Sequence, residues 1–272
     1  MKITVLVDDT SRRNLPAEHG LSLHVQSCDG RRILFDMGQG ALFAANAARL
    51  GISIPEIDVA VVSHGHYDHG GGLQTFLSVN EKAPVFVHKH AFDPHYSLRE
   101  TGLTDIGLCR DLQTNRRLTF CGDRTSIGPG LTLFAGVSGS SLRPPGNRLL
   151  FGPQTDVNDD FRHEQSLLIE EDGKVVLLAG CAHGGIVHIL RQATVIAGTA
   201  PTHVFAGMHL VKSGLCETDE ATFVAALAAE LMTYADTRFY TMHCTGETGY
   251  NRLKTIMGEQ IAYLSCGDSM EL

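Results

Sequence analysis

The amino-acid sequence predicts a mixed α/β fold, in which β-sheets are covered by helices, within a single domain of 272 residues. Two observations support this fold class. Short β-branched apolar runs bounded by Gly, Asp or Pro recur along the chain, and segments with a helical pattern lie between and after them. A hydrophobic content of 43% and a mean hydropathy near zero indicate that the chain can bury a large core.

The apolar runs are predicted strands, and they comprise residues 3–7, 21–25, 33–35, 59–62, 85–87, 131–134, 167–169 and 175–178. Predicted helices comprise residues 41–50, 71–77, 184–196, 218–234 and 249–257. Thr218 is expected to cap the fourth helix above an acidic first turn. Residues from about 90 to 161 are rich in Gly, Pro, Ser and Arg and have weak periodicity. We expect an irregular insertion there, either a functional lid or a tolerated surface loop.

Charge and cysteine content narrow the classes of partner. A formal net charge of −8 and a pI near 5.9 leave no diffuse basic field, so nucleic acid is not expected as a partner. No stretch approaches the roughly 18 apolar residues of a membrane span, so no membrane partner is expected. Seven cysteines without regular pairing distances indicate reduced thiols. The expectation is a cytoplasmic protein that acts on a small molecule.

The segment 59–72 joins an apolar run to a Gly-rich turn that carries four potential metal ligands, namely His64, His66, Asp68 and His69. Imidazole nitrogens and a carboxylate suit zinc and neighbouring divalent metals. Glycines at 65 and 70–72 let the backbone fold tightly enough for these side chains to converge. The pattern predicts a metal site at the end of a strand, and the alternative is a solvated His-rich loop.

This H-x-H-x-D-H pattern after an apolar strand resembles the signature of the metallo-β-lactamase superfamily. The resemblance implies an αββα sandwich with a one- or two-metal site at the sheet edges. One subgroup is similar over most of the chain, in the segments 18–22 (EHGLS), 33–38 (ILFDMG), 179–186 (AGCAHGGI), 206–210 (AGMHL) and 243–246 (HCTG). Its members are labelled as similar to the synthase that makes ribofuranosylaminobenzene phosphate linked to a dihydropterin.

The superfamily pattern implies that His64 and His66 hold a first metal, and that Asp68 and His69 hold a second. His243 follows an apolar run and matches the last ligand, which completes the second site.

Two positions in the middle of the chain are less settled. Superfamily members commonly have a bridging Asp where this chain has Cys181, which either ligates a soft metal as a thiolate or is a small buried residue. Either His183 or His163 supplies the third ligand of the first metal, with Asp160 and Glu164 as lesser alternatives. His183 is favoured because Gly184 and Gly185 follow it, whereas His163 stands next to the cation of Arg162.

Other residues are expected to contact the substrate. His19 and His209 fall within the subgroup segments, with His19 binding substrate and His209 acting in catalysis. Arg143 and Arg148 are expected to clamp a phosphate or carboxylate, because the guanidinium group offers a planar fork of donors. Solvated surface charge is the alternative for both arginines. The remaining histidines are expected to have surface or lid roles (His88, His90 and His95) or structural roles (His24, His188 and His203).

The expected activity is metal-dependent hydrolysis. One or two zinc ions, or else iron, manganese or nickel, would lower the pKa of a bound water to about 7 and generate hydroxide. That hydroxide would attack a small anionic, phosphate-bearing substrate, with a lactone or amide as the next candidate. Asp68 is expected to orient the water or accept its proton, and His209 to hold the developing negative charge.

Two alternatives remain open from the sequence. One is a different enzyme class, either a transferase or synthase acting on a pterin-like phosphorylated substrate or an iron site for redox chemistry. The other is a metal-binding sensor of the same fold without turnover. Metal analysis, product analysis with and without a second substrate, and the effect of His66→Ala on turnover would separate them.

Overall fold

The structure is a computed structural model that describes residues 1–211 and 213–272. The strands are β1 (Lys2–Val7), β2 (Ser22–Gln26), β3 (Arg32–Phe35), β4 (Val59–Val61), β5 (Val85–His88), β6 (Tyr96–Arg99), β7 (Gly102–Asp105), β8 (Leu118–Cys121), β9 (Arg124–Gly128), β10 (Leu131–Ala135), β11 (Leu150–Phe151), β12 (Gln165–Glu171), β13 (Lys174–Ala179), β14 (His203–Ala206), β15 (Arg238–Thr241), β16 (Ile261–Tyr263) and β17 (Ser269–Glu271). The helices are α1 (Leu42–Arg49), α2 (Tyr67–Gly70), α3 (Leu73–Val79), α4 (Ile186–Ala197), α5 (Glu217–Met232) and α6 (Gly246–Met257).

Two large sheets lie at the centre of the described part of the chain. The first has the strand order β17-β1-β2-β3-β4-β5-β8, and the second has the order β16-β15-β14-β13-β12-β10-β9. Strands β3, β4, β5 and β8 run parallel in the first sheet, and β13 to β16 run parallel in the second. Since β1 is antiparallel to β2 and β2 to β3, β1 points the same way as β3.

This topology decides where the functional side chains lie. The carboxyl ends of parallel strands meet at one edge of a sheet, where ligand sites of α/β proteins form. The segments that follow β1, β3 and β4 therefore share one edge of the first sheet. The segments that follow β13, β14 and β15 share an edge of the second.

Alternation along the strands explains the layers. In β3, Ile33 and Phe35 belong to the apolar cluster between the two sheets, whereas Leu34 between them packs with the helices outside the first sheet. A strand buried on both faces is apolar throughout, which is why these runs could be recognised in the sequence. Helices α1 and α3 cover the first sheet, and α4, α5 and α6 cover the second. The αββα sandwich is confirmed.

The expectation of an irregular insertion at about 90–161 was wrong in one respect. Strand β8 extends the first sheet, and β9 and β10 extend the second, so much of this stretch is part of the sandwich. Strands β6, β7 and β11 form a small sheet of their own. Strands β6 and β7 have four residues each and are only partly buried, so no continuous apolar run marks them in the sequence. No helix within residues 1–211 or 213–272 has the length and apolar content that crossing a bilayer requires.

Candidate metal centre

Three histidines converge where the two sheet edges face each other, and we call them the first cluster (His64, His66 and His183). The turn after β4 carries His64 and His66, whose Nε2 and Nδ1 atoms lie 3.0 Å apart. The loop after β13 brings in His183, and one ring nitrogen of each residue lies within 4.8 Å of the others. All three side chains are buried.

The partners of these rings leave nitrogen atoms free to bind a cation. Nδ1 of His64 contacts the Ser63 hydroxyl at 2.9 Å, and Nδ1 of His183 contacts the Asn147 side-chain oxygen at 2.9 Å. Nε2 of His183 is buried and has no hydrogen-bond partner among the described residues. Burial lowers the pKa of His64, His66 and His183, so the rings are neutral, as metal binding requires. The donor set therefore fits a divalent metal ion.

Three further residues form the second cluster (Asp68, His69 and His243). Helix α2 carries Asp68 and His69 next to each other in the sequence, and the turn after β15 carries His243. Nε2 of His69 lies 3.3 Å from Nε2 of His243 and 3.1 Å from Sγ of Cys181. Oδ2 of Asp68 lies 3.4 Å from Nε2 of His243. Burial opposes ionisation of Asp68, but neighbouring His69, His19 and His243 hold its pKa well below the usual range.

Carboxylates orient the imidazoles of the second cluster. Oδ2 of Asp36 lies 2.7 Å from Nδ1 of His69, and Oδ1 of Asp9 lies 2.5 Å from Nδ1 of His243. Asp8 accepts a hydrogen bond from the backbone N–H of His243 at 2.6 Å. Such carboxylate–histidine pairs fix the ring and raise its basicity toward a metal. Sequence reasoning assigned no role to these aspartates, although each ends an apolar run on the same sheet edge.

Backbone strain accompanies both clusters. Asp36, Ala182, His209 and His243 have φ values of 60°, 54°, 45° and 49°. This left-handed region is unfavourable for residues with a Cβ, and such strain is often found at functional sites. The loops that deliver the polar side chains are thus held in conformations that local preference alone would not select.

Cys181 lies between the two clusters. Its sulfur lies within 4.8 Å of a ring nitrogen of His64, His69, His183 and His209, close enough for these atoms to share an ion. Burial raises the pKa of the Cys181 thiol well above its usual range, and the neighbouring Cys244 raises it further. A positively charged metal ion would act in the opposite direction, because it stabilises the thiolate. The position agrees with a bridging role, which stays a prediction.

His163 does not join the first cluster. Its Nδ1 accepts a hydrogen bond from the Gly65 N–H at 2.9 Å, and the ring groups with His66, His95 and Asp159. The two acidic alternatives have other partners. Glu164 accepts hydrogen bonds from the N–H groups of His183 and Gly184, and burial raises its pKa to about 7. Asp160 pairs with Arg162 at the surface.

The expected substrate and catalytic residues lie at different distances from the clusters. The ring centroid of His209 is 4.5 Å from that of His183. Nε2 of His19 lies 3.2 Å from Oδ2 of Asp68. Hydrogen bonds to Asp68 and Asp9 raise the pKa of His19 to about 9, so this half-exposed ring carries a positive charge at neutral pH.

The two arginines are placed less directly. Cγ of Arg143 approaches Gly185, at the loop that follows His183, and its Nε is buried with no partner among residues 1–211 and 213–272. Arg148 is exposed and donates a hydrogen bond to the carbonyl oxygen of Gly214 at 2.8 Å.

The expected surface or lid positions of His88 and His95 were wrong, because each residue as a whole is only about 1% exposed. His88 ends a buried strand, and His95 packs beneath the Gly65 turn, so neither reaches solvent. His90 is partly exposed and pairs with Asp93. His24 lies within β2, His203 within β14, and Nε2 of His188 contacts the Ser141 carbonyl oxygen at 2.6 Å.

The fold and the clusters agree with the comparisons to known proteins. The chain belongs to the metallo-beta-lactamase superfamily, since the model of that family matches residues 25–194. A curated relative from Methanocaldococcus jannaschii is the 7,8-dihydropterin-6-methyl-4-(beta-D-ribofuranosyl)-aminobenzene-5'-phosphate synthase. It is 27% identical over 289 residues, which cover 98% of this chain and 95% of the relative. The resemblances stated from the sequence are confirmed.

Solved structures support the same family and fold. The crystal structure of Tm1679, a metal-dependent hydrolase of the beta-lactamase superfamily, aligns with a TM-score of 0.80 and 31% identity over 100% of this chain and 99% of the other. Zn(2+)-bound PqqB from Methylobacterium extorquens aligns with a TM-score of 0.56 and 12% identity over the whole of both chains, and that likeness is one of fold.

Proposed function

We propose that the protein is a metal-dependent hydrolase that acts on a small, phosphate-bearing molecule. The observation that carries this proposal is the convergence of neutral imidazoles in the first cluster, where Nε2 of His183 is buried without a partner in the described chain. His64, His66 and His183 would hold one divalent ion, and Asp68, His69 and His243 a second, with Cys181 between them. When bound, such ions supply a Lewis acid and an activated water at neutral pH.

The chain's own residues then bind and orient the reactants. The carboxylate of Asp68 lies 3.4 Å from Nε2 of His243 and stays charged, so it can accept a hydrogen bond from the attacking water and orient it. His209 lies beside His183, with a buried Nδ1 that has no partner in the described residues, and is placed to stabilise negative charge that develops on the substrate. The strained φ of 45° at His209 holds its ring toward the centre.

Positive charge at the rim favours an anionic substrate. Hydrogen bonds to Asp68 and Asp9 hold His19 in its charged form. The side chain of Arg143 lies beside Gly185, the residue before α4. Arg148 is exposed, and its guanidinium donates a hydrogen bond to the Gly214 carbonyl oxygen. A guanidinium fork binds phosphate or carboxylate oxygens in two places at once. Zinc is the proposed metal, since imidazole, carboxylate and thiolate donors all suit it.

A second candidate is a synthase reaction on a phosphorylated pterin-like substrate. It is favoured by the relative from Methanocaldococcus jannaschii, whose similarity extends over 98% of this chain. Product analysis separates the two candidates. A hydrolase forms products from one substrate and water, whereas a synthase requires a second organic substrate and joins it to the first.

The test uses protein stripped with a chelator and then reloaded with zinc. Phosphodiester, phosphomonoester, lactone and β-lactam probes are incubated with the stripped protein, the reloaded protein and His66→Ala. We expect hydrolysis of a phosphate ester by the reloaded protein alone, because His66 belongs to the first cluster. Full turnover by protein shown to be free of metal would contradict the proposal, and so would full turnover by His66→Ala.

A further inference from the structure

A third group of buried polar side chains lies directly behind the first cluster, and we call it the clamp (His95, Asp159 and His163). Their side chains are 2%, 4% and 0% exposed. The clamp lines a cavity of about 270 Å³, together with Asp160 and Arg162. None of its members takes part in the chemistry proposed above.

Hydrogen bonding fixes the proton on His163. The Gly65 N–H donates to Nδ1 of His163 at 2.9 Å, so this nitrogen must present its lone pair. A neutral imidazole carries one N–H, which is therefore on Nε2, and Oδ2 of Asp159 lies 3.3 Å from that atom. An Nε2 that carries a proton cannot ligate a metal. The clamp is thus unsuited to bind a metal ion, although its donor atoms lie close together.

Asp159 holds the other end of the clamp. Its Oδ2 is also hydrogen-bonded to Nδ1 of His95, at 3.0 Å. Its Oδ1 accepts a hydrogen bond from the Phe161 N–H at 2.8 Å. Burial opposes ionisation of this carboxyl, but the contacts with His163 and His95 hold its pKa well below the usual range. The carboxylate thus takes part in two hydrogen bonds, with His95 and the Phe161 N–H, and lies 3.3 Å from Nε2 of His163, so it anchors both rings.

The clamp acts on the backbone between two residues of the first cluster. Gly65 separates His64 from His66, and its backbone N–H donates the hydrogen bond to Nδ1 of His163. A Cβ added to Gly65 would lie 2.6 Å from Nε2 of His95, so the His95 ring packs against this glycine. The turn is therefore held by the hydrogen bond that Gly65 donates to the His163 ring and by close packing against the His95 ring.

We propose that Asp159 is a positioning residue that, through His163, fixes the Gly65 turn and thereby sets the metal affinity of the first cluster. The inference rests on the proposed function, because it requires that the first cluster bind a metal. Residues that orient metal ligands without touching the metal change the metal affinity by about 10- to 100-fold when they are removed.

Asp159→Asn tests the clamp with little change of shape. The amide is uncharged and has one acceptor oxygen in place of two, so it cannot keep the bonds of His95 and the Phe161 N–H on separate oxygens or place an anion 3.3 Å from Nε2 of His163. His163 would then lose the anion that stabilises its Nε2–H, and its other tautomer would direct an N–H at Gly65. Asp160→Asn is the matched control, because Asp160 lines the same cavity but pairs with Arg162 at the surface.

Zinc dissociation constants are measured by competition with a chelator for the wild type and each variant. The binding step of the first cluster is identified as the one that His183→Ala loses. We expect Asp159→Asn to raise the dissociation constant of that step about tenfold or more, with the other step unchanged. Asp160→Asn should match the wild type. The melting temperature of metal-free protein reports general loss of stability separately.

Two variants of His163 keep the inference testable if Asp159→Asn fails to fold. His163→Asn retains an acceptor at the δ1 position for the Gly65 N–H, whereas His163→Leu has none. The expected order of zinc affinity at the first cluster is wild type, then His163→Asn, then His163→Leu.

Equal affinity in all these proteins would overturn the positioning role alone, as would equal weakening of both zinc steps together with a lower melting temperature. If the wild-type protein shows no zinc-binding step that His183→Ala loses, both the proposed function and the positioning role are overturned.

Discussion

The first and second clusters use the same kind of ligand but orient it differently. In the first cluster, uncharged groups hold the rings, namely the Ser63 hydroxyl beside His64 and the Asn147 amide beside His183. In the second cluster, the carboxylates of Asp36 and Asp9 hold the rings of His69 and His243.

This difference has a consequence for metal affinity. A carboxylate behind an imidazole raises its basicity and adds negative charge near the cation, whereas a hydroxyl or amide only sets the ring orientation. The second cluster also contains the carboxylate of Asp68 itself. We therefore expect tighter zinc binding at the second cluster, and an affinity at the first cluster that depends more on geometry.

The largest effect should follow from His183→Ala. Removal of this side chain leaves His64 and His66 with too few protein ligands for a catalytic zinc, for which three are usual. We expect one equivalent of zinc to be lost and kcat to fall by about 1,000-fold or more. His203→Ala is the control, because it removes a half-buried imidazole from β14, away from both clusters. Two full equivalents of zinc in His183→Ala would remove this residue from the site.

Asp36→Asn should weaken the second cluster more than the first, and by a smaller factor than His183→Ala, because Asp36 contacts His69 directly but reaches His64 only through Ser63. Asparagine has one acceptor oxygen where aspartate has two, so it cannot keep the bonds from Ser63 together with the contact to Nδ1 of His69, and the His69 ring loses its anchor. Asparagine tolerates the φ of 60° at this position, so the backbone should be retained. We expect the dissociation constant of the second zinc to rise about 10- to 100-fold. If both sites weaken equally, Asp36 stabilises the fold and has no selective effect on His69.

Cys181→Ser should change the zinc affinity least among these variants, but it should change the absorption spectrum of the cobalt-substituted protein. The serine oxygen occupies nearly the same place but does not form a thiolate. With cobalt in place of zinc, the wild type should show sulfur-to-metal charge-transfer absorption that Cys181→Ser lacks. Cys28→Ser should keep this absorption, because Cys28 is exposed in the turn after β2, away from both clusters. The same absorption in Cys181→Ser would show that Cys181 is not a ligand.

Much of the sandwich could be predicted because its strands are buried on both faces. Continuous apolar runs such as 33–35 and 175–178 identify such strands without knowledge of their neighbours. Strands β16 and β17 have only three residues each and gave no usable pattern. Helix α5 was located correctly, but it begins at Glu217 after Cys216, and Thr218 lies inside its first turn.

The candidate site could be predicted only where its residues lie together in the sequence. His64, His66, Asp68 and His69 are close neighbours along the chain, so their chemistry is visible there. Asp36 reaches His69 across 33 positions, and Asp9 reaches His243 across 234. Such pairs depend on which strands become neighbours, and no local pattern reports that.

The choice between His183 and His163 shows a second limit. The sequence argument relied on the cation of Arg162 beside His163. In the structure Arg162 turns to the surface and pairs with Asp160, and His163 is kept from the first cluster by the hydrogen bond from Gly65. The preference for His183 agrees with this geometry for a reason that the sequence did not contain.

Anomalous diffraction from a zinc-loaded crystal, recorded at the zinc absorption edge, tests the central claim most directly. We predict a peak bounded by Nε2 of His64, Nδ1 of His66 and Nε2 of His183, with zinc–nitrogen distances of about 2.0–2.1 Å. A second peak should lie among Asp68, His69 and His243. A peak on His163 with His183 turned away, or the lack of any peak between the two sheet edges, would contradict the account.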